Sequence, residues 1–114
     1  MKNGIILTIT LFMLNFQQEI ERGTASYYAN KFEGRKTASG AIFYQDSLTA
    51  AHKTLRLGTL VEVRNLKNDS VVTVLINDRM SKNSPHCIDL SAAAAKQLNF
   101  YGRGIARVTV SKAY

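Results

Sequence analysis

The sequence predicts a small, mostly β domain closed into a barrel, with a clear short helix near its C-terminal end. Two patterns carry this. Residues 59–66 and 105–111 alternate in polarity at the period of a half-buried strand, and residues 70–76 form a nearly continuous apolar, β-branched run. Only one stretch, the alanine-rich residues 92–98, reads plainly as helix. A third observation is length: 114 residues supply one core and no second. A sheet built from so small a core exposes pairing edges unless it closes on itself.

The elements follow in chain order. Lys2 precedes a mostly apolar run at residues 5–16, and Gln17, Gln18 and Glu19 follow it. A basic residue before a short apolar run reads as a secretion signal, and the run is too short for an ordinary spanning helix. The boundaries expected are a leader over residues 1–22 and a folded domain over 23–112. The other reading of the same run is a buried N-terminal strand or helix. Residues 24–28 read as a short strand, and the polar, glycine-containing residues 30–40 as a long loop. Lys67, Asn68 and Asp69 supply a turn between the alternating strand and the apolar run. That run, residues 70–76, is expected to be covered on both faces. Ser91 is placed to cap the helix, with Asp89 just upstream of its positive end.

Hydrophobic residues make up 46% of the chain and charged residues 20%, which argues against a disordered chain. The net charge is +7, and it stays +7 without residues 1–22, because that stretch carries two basic and two acidic residues. The positive charge therefore belongs to the domain and favours a polyanionic partner. Cys87 is the one cysteine, so no intramolecular disulfide forms. No cysteine follows the apolar run, so no lipid anchor is expected, and the exported form is expected to be a monomer.

Three polar segments fall at expected loops or strand ends: residues 34–40, 48–55 and 76–79. Asp78 closes the apolar run. A carboxyl there is partly desolvated, holds a proton more readily, and suits a general acid for glycoside cleavage. It equally reads as a structural carboxylate paired with Arg79. His52 reads as a group that orients substrate or as a hydrogen-bonded structural histidine. His86, Cys87 and Asp89 lie close together but lack the ligand set of a metal site, and Cys87 beside Ile88 reads as a buried inert thiol. No metal and no cofactor are expected. Tyr27, Tyr28, Phe32, Phe43 and Tyr44 cluster in the first half. They serve as core or as a sugar-stacking platform, with Tyr28 and Phe32 expected to be the exposed ones. A nucleic-acid surface would use the same aromatics with the basic residues, but no nucleic-acid motif accompanies them.

Taken together, the segments resemble the rare-lipoprotein-A (RlpA) family in order and spacing. They are residues 23–28, 34–40, 48–55, Gly58-Thr59, Asn65-Leu66, Ile76-Asn77-Asp78-Arg79 and Ile88-Asp89-Leu90-Ser91 with Ala93-Ala94. The resemblance implies a six-stranded double-psi β-barrel with one or two short helices, export to the periplasm or cell envelope, and peptidoglycan glycan strands as partner. It implies an endolytic transglycosylase that cleaves peptide-free strands between N-acetylmuramic acid and N-acetylglucosamine and leaves a 1,6-anhydro end. Asp78 and His52 match the family's catalytic aspartate and histidine. Tyr28, Arg35, Thr37, Ser39, Lys53, Asn77 and Arg79 are the candidate substrate-binding residues along the same motifs. Two positions depart from the pattern. Ala41 stands where the family usually has a glutamate, and Met80-Ser81 stands where a Gly-Pro pair often follows the Asn-Asp-Arg motif. Ala41 divides an enzyme working with Asp78 from a glycan-binding barrel without turnover, in the manner of expansins. Glu33 and Asp46 are the nearby carboxylates available as a relocated partner or as solvated loop charges.

Overall fold

A computed structural model of the chain describes residues 19–113. The expected leader falls largely on residues outside that range. Six strands make the fold: β1 (Ile20–Tyr27), β2 (Thr49–His52), β3 (Leu60–Asn65), β4 (Val71–Arg79), β5 (Ile88–Leu90) and β6 (Ala106–Lys112). They close into a barrel in the order β1-β5-β2-β4-β3-β6. The β1–β5 and β2–β4 pairs are parallel, and the other four are antiparallel. This mixed six-stranded closure is the double-psi architecture that the resemblance implies.

The barrel begins at Ile20, earlier than the boundary expected at Gly23. Ile20, Glu21 and Arg22 pair with Ser111, Val110 and Thr109 of β6. They extend the first strand, and Glu21 carries a side chain that reaches the site described below.

Closure gives every strand an inside and an outside, and the burial follows that rule. Val61 and Val63 of β3, Val72, Val74 and Ile76 of β4, Ile88 and Leu90 of β5, and Val108 of β6 all point inward. The expectation that residues 70–76 are covered on both faces is corrected here. Val71, Thr73 and Leu75 of β4 are exposed, because no second layer covers that part of the barrel wall. An unbroken apolar run marks a two-sided strand only where helices cover both faces of the sheet.

The helix α1 (Ala92–Gln97) is as expected: the Ser91 side chain accepts a hydrogen bond from the Ala94 N–H. Its buried alanines and Leu98 plug one end of the barrel core. Asn65 is buried there. Its Nδ2 donates to the Leu98 carbonyl at 2.7 Å and its Oδ1 accepts from the Lys67 N–H at 3.0 Å. One amide thus ties the helix end to the turn between β3 and β4.

Candidate active site

The long loop expected over residues 30–40 folds back on itself. After a 3₁₀ turn at Asn30–Phe32, Gly34 and Phe43 bond through Gly34 N–H to Phe43 C=O, and Phe43 N–H donates to Arg35 C=O. Lys36 bridges Ile42, and Thr37 N–H donates to Ala41 C=O. Gly34 and Gly40 sit at φ 82° and 91°, where a side chain would be strained, and so permit the two ends of this miniature hairpin. Its tip is fastened to the end of β4: Ser39 N–H donates to the Asn77 carbonyl and Ala38 N–H to Asp78 Oδ1 at 2.8 Å.

A register shift aims Asp78. Between β2 and β4, Ala50 pairs with Ile76 but Ala51 pairs with Asp78. Asn77 is the extra residue of a β-bulge. The bulge turns Asp78 to the outer face with Ala51 and leaves Ile76 inside with Ala50. Three donors meet the carboxylate there. Tyr28 O–H donates to Oδ2 at 2.6 Å, while Ala38 N–H and Arg79 N–H donate to Oδ1 at 2.8 and 2.9 Å.

Tyr28 is itself fixed. Its ring stacks on Phe43 with centroids 4.1 Å apart and meets Phe32 edge-on at 5.8 Å. Burial, reinforced by the Asp78 hydrogen bond and charge, pushes the Tyr28 phenol far above its ordinary value, so it remains an O–H donor. Tyr28 is 8% exposed. The expectation of an exposed stacking ring is therefore corrected: Tyr28 positions Asp78, and its faces are spent on Phe43 and Phe32. Phe32 is half-buried, with Lys31 and the Arg35 guanidinium each 5.3 Å from its ring centre.

His52 is 4% exposed, and both ring nitrogens are engaged. Nδ1 accepts from the Thr54 and Leu55 N–H groups at 3.1 and 3.0 Å, so the ring proton sits on Nε2 and is donated to Glu21 Oε1 at 2.8 Å. None of these bonds runs to Asp78. The geometry makes His52 a pin for the 52–55 turn, held from β1 by Glu21.

The other expected contact residues divide. Thr37 is buried and bonds Ser39 Oγ and the Ala41 carbonyl, which stiffens the hairpin tip. Lys53 Nζ donates to the Ser84 carbonyl at 2.7 Å and holds the loop after β4. Arg79 donates weakly to the His52 carbonyl at 3.3 Å. Asn77 is 7% exposed, and its Oδ1 has no hydrogen-bond partner among the described residues. Arg35, Ser39 and Arg79 remain exposed; Ser39 follows Ala38 at the hairpin tip and Arg79 follows Asp78, while the Arg35 guanidinium lies over the Phe32 ring. Glu33 Oε1 accepts from the Gln45 N–H at 2.7 Å, which caps the loop rather than turning toward Asp78. Cys87 is buried, and burial first, then the Glu21 charge, pushes its thiol up to about 11, which makes it inert.

Sequence reasoning missed Glu21, which holds His52, and also a second aspartate. Asp89 of β5 pairs with the same Ala51 that pairs with Asp78, on the opposite side of β2. Its neighbours Ile88 and Leu90 point into the core, so Asp89 points out, toward the face that holds Asp78. Burial raises its carboxyl above the usual range. The Ser26 hydroxyl bond and the His86 charge oppose that shift, and the Asp78 charge adds to it. The alternation Ile88-Asp89-Leu90 is the signal that could have found it. A carboxyl raised on folding makes the native state bind its proton more tightly. Stability is then fully present below the ordinary carboxylate range and falls as pH rises through the raised value. Asp89→Asn is therefore expected to raise Tm at neutral pH, with the gain vanishing near pH 3. Thermal melts across pH check this; a variant no more stable at pH 7 than at pH 3, relative to the parent, contradicts it.

The family model described as lytic transglycolase matches residues 20–110. The chain belongs to the lytic transglycolase family. The resemblance to the rare-lipoprotein-A group read from the motifs is borne out. The chain is 50% identical over 94 residues to a probable endolytic peptidoglycan transglycosylase RlpA of Treponema pallidum, covering 82% of this chain and 30% of that protein. It is 48% identical over 91 residues to the endolytic peptidoglycan transglycosylase RlpA of Haemophilus influenzae, covering 80% of this chain and 32% of that one. The chain thus spans about a third of the length of these curated relatives. Among solved structures, the Streptomyces papain inhibitor superposes with a TM-score of 0.67 at 24% identity, covering 84% of this chain and 96% of its own. A mutant Clavibacter michiganensis expansin solved with cellohexaose gives 0.66 at 19% identity, covering 84% of this chain and 51% of its own. These likenesses carry the fold, and the family match begins at Ile20, where the barrel begins.

Proposed function

We propose that this barrel is an endolytic peptidoglycan transglycosylase, cutting peptide-free glycan strands between N-acetylmuramic acid and N-acetylglucosamine and leaving 1,6-anhydro ends. The observation that carries it is Asp78: a bulge turns it to the outer face, and Tyr28 and two backbone N–H groups, one from the hairpin tip beside exposed Ser39 and one from exposed Arg79, fix it. The relatives that share this barrel bear the name of that activity. A lytic transglycosylase needs no activated water, because the muramyl 6-hydroxyl attacks C1, so a small cleft with carboxyl chemistry suffices. Asp78 and His52 are the residues proposed as central, His52 by shaping the turn that follows β2.

The chain is proposed to be exported, with residues before Ile20 as its leader, and to work in the cell envelope. Among the described residues the closed barrel offers no free edge strand for pairing with a second copy, which supports a monomer. One observation favours a second reading, a glycan-binding barrel without turnover: Ala41, at the position of the family's glutamate, is exposed on the hairpin and offers no carboxyl. Incubation of the purified protein with peptide-free strands, followed by mass spectrometry, decides. Anhydro-muramyl products are expected; binding without products would leave the second reading.

A further inference from the structure

We propose that a pocket at the far end of the barrel binds the short acidic peptides that muramic acid carries in uncut wall, so that the protein holds a peptide-bearing strand on one face while a peptide-free strand lies at Asp78; the choice of peptide rests on the peptidoglycan reading above. The pocket has a volume of about 690 Å³ and is walled by the β3–β4 turn, the segment that follows α1 and the start of β6. That size is in the range of small-ligand sites. The barrel separates the pocket from Asp78 in two directions. In the closed ring the β3–β6 pair lies across from the β5–β2 pair. Along β4, Val71 pairs with Arg64 at the pocket end, and Asp78 stands farther on by roughly 23 Å of strand.

The walls are tied together by the fold itself. Asn65 and Asn68 each donate a side-chain amide N–H to the Leu98 carbonyl, at 2.7 and 3.2 Å, which joins the turn to the end of α1. Leu66 N–H donates to the Arg107 carbonyl at 2.9 Å, which joins the turn to β6. Lys67, Arg103 and Arg107, all exposed, bring one cation from each wall. No acidic residue lines the pocket, and among the described residues none of the three side chains has a hydrogen-bond or ion-pair partner. Uncompensated cations gathered around one concavity attract an anion. The flat forks of Arg103 and Arg107 suit a carboxylate, which each can hold with two parallel bonds.

Two further features favour a peptide over a bare phosphate or a phospholipid headgroup. Leu66 and Ile105 are exposed beside the cations and offer contact to small apolar side chains. Asn99, set at φ 58° just after α1, presents an exposed amide to the same pocket, and that amide has no partner among the described residues. An amide gives a donor and an acceptor together, which matches a peptide unit, whereas a phosphate oxygen takes donors. Wall peptides combine carboxylates, alanine methyl groups and peptide units within a few residues. Their charge, their methyl groups and their backbone each meet a counterpart in this pocket.

The test titrates isotope-labelled protein, followed by amide NMR, with the N-acetylated tetrapeptide L-alanyl-γ-D-glutamyl-diaminopimelyl-D-alanine. Shifts are expected at residues 65–68 and 99–107 and not at Ala38 or Asp78. Arg103→Ser combined with Arg107→Ser is expected to weaken peptide binding at least about tenfold. Lys67→Gln, on a different wall, is expected to weaken it roughly two- to fivefold. The doubly substituted protein also leaves peptide-bearing sacculi at lower salt than the parent, and cuts peptide-free strands at the parental rate. The three side chains are exposed, and melts matching the parent confirm folding. No shift with the peptide, shifts at Asp78 in place of the pocket, or unchanged affinity in both variants overturns the proposal. A pocket that answers to inorganic phosphate or to phosphatidylglycerol vesicles and not to the peptide overturns it as well. The titration needs no turnover, so a parent that binds the peptide but releases no anhydro product from strands brings down the transglycosylase reading and leaves the pocket standing.

Discussion

Asp78→Asn is expected to lower glycan-strand cleavage by at least 10²–10⁴-fold while leaving the fold unchanged. The amide keeps one oxygen for the Ala38 and Arg79 N–H groups, so the hairpin tip stays fastened to β4. Its nitrogen replaces Oδ2, and the Tyr28 hydroxyl rotates to accept rather than donate. The isosteric change removes the negative charge and little else. In the transglycosylase reading Asp78 is the acid/base group of the site, and an amide can neither give nor take that proton. Circular dichroism and Tm matching the parent, with anhydro products absent, is the predicted outcome. Full activity in a folded Asp78→Asn protein would remove Asp78 from the chemistry.

The sequence was legible where its signal was periodic. The alternation over residues 59–66 and 105–111 marked β3 and β6 within a residue or two, and Ser91 caps α1 as its position suggested. The run at residues 70–76 was read as two-sided because its composition carries no sign of which neighbours exist. A barrel wall leaves Val71 and Leu75 outside, and no local pattern reports that. The site was legible only as a set of polar segments. What aims Asp78 is a one-residue slip between β2 and β4, and such a slip depends on the partner strand. Tyr28 looked exposed because it borders a polar loop; the hairpin that loop forms brings Phe43 back over the ring. Asp89 and Asp78 lie on different segments and meet only because β2 runs between β5 and β4. Glu21 was lost to the leader for a similar reason: its partner His52 is 31 residues away.

Phe43→Ala is expected to be the most damaging single change outside the carboxyls, costing about 3–5 kcal/mol of stability. Phe43 is fully enclosed and belongs to the small apolar cluster with Tyr28 and Ala51 that lies beneath the site, apart from the main barrel core. Truncation leaves a void under the Tyr28 ring, whose remaining aromatic neighbour among the described residues is Phe32. The phenol then loses its fixed line to Asp78, and the hairpin whose backbone bonds pass through residue 43 loses the side chain that anchors it. Stability and activity therefore fall together, with activity falling further than the melted fraction explains. Phe43→Leu separates the two effects. It keeps most of the apolar volume, so its stability cost is expected near 1.5 kcal/mol or less, yet it provides no flat ring for Tyr28 to stack on. Urea denaturation and cleavage assays on both variants, run well below their melting temperatures, measure this. A folded Phe43→Leu protein with reduced activity shows that stacking on Phe43 positions Asp78 through Tyr28; parental activity in that variant limits Phe43 to a packing role.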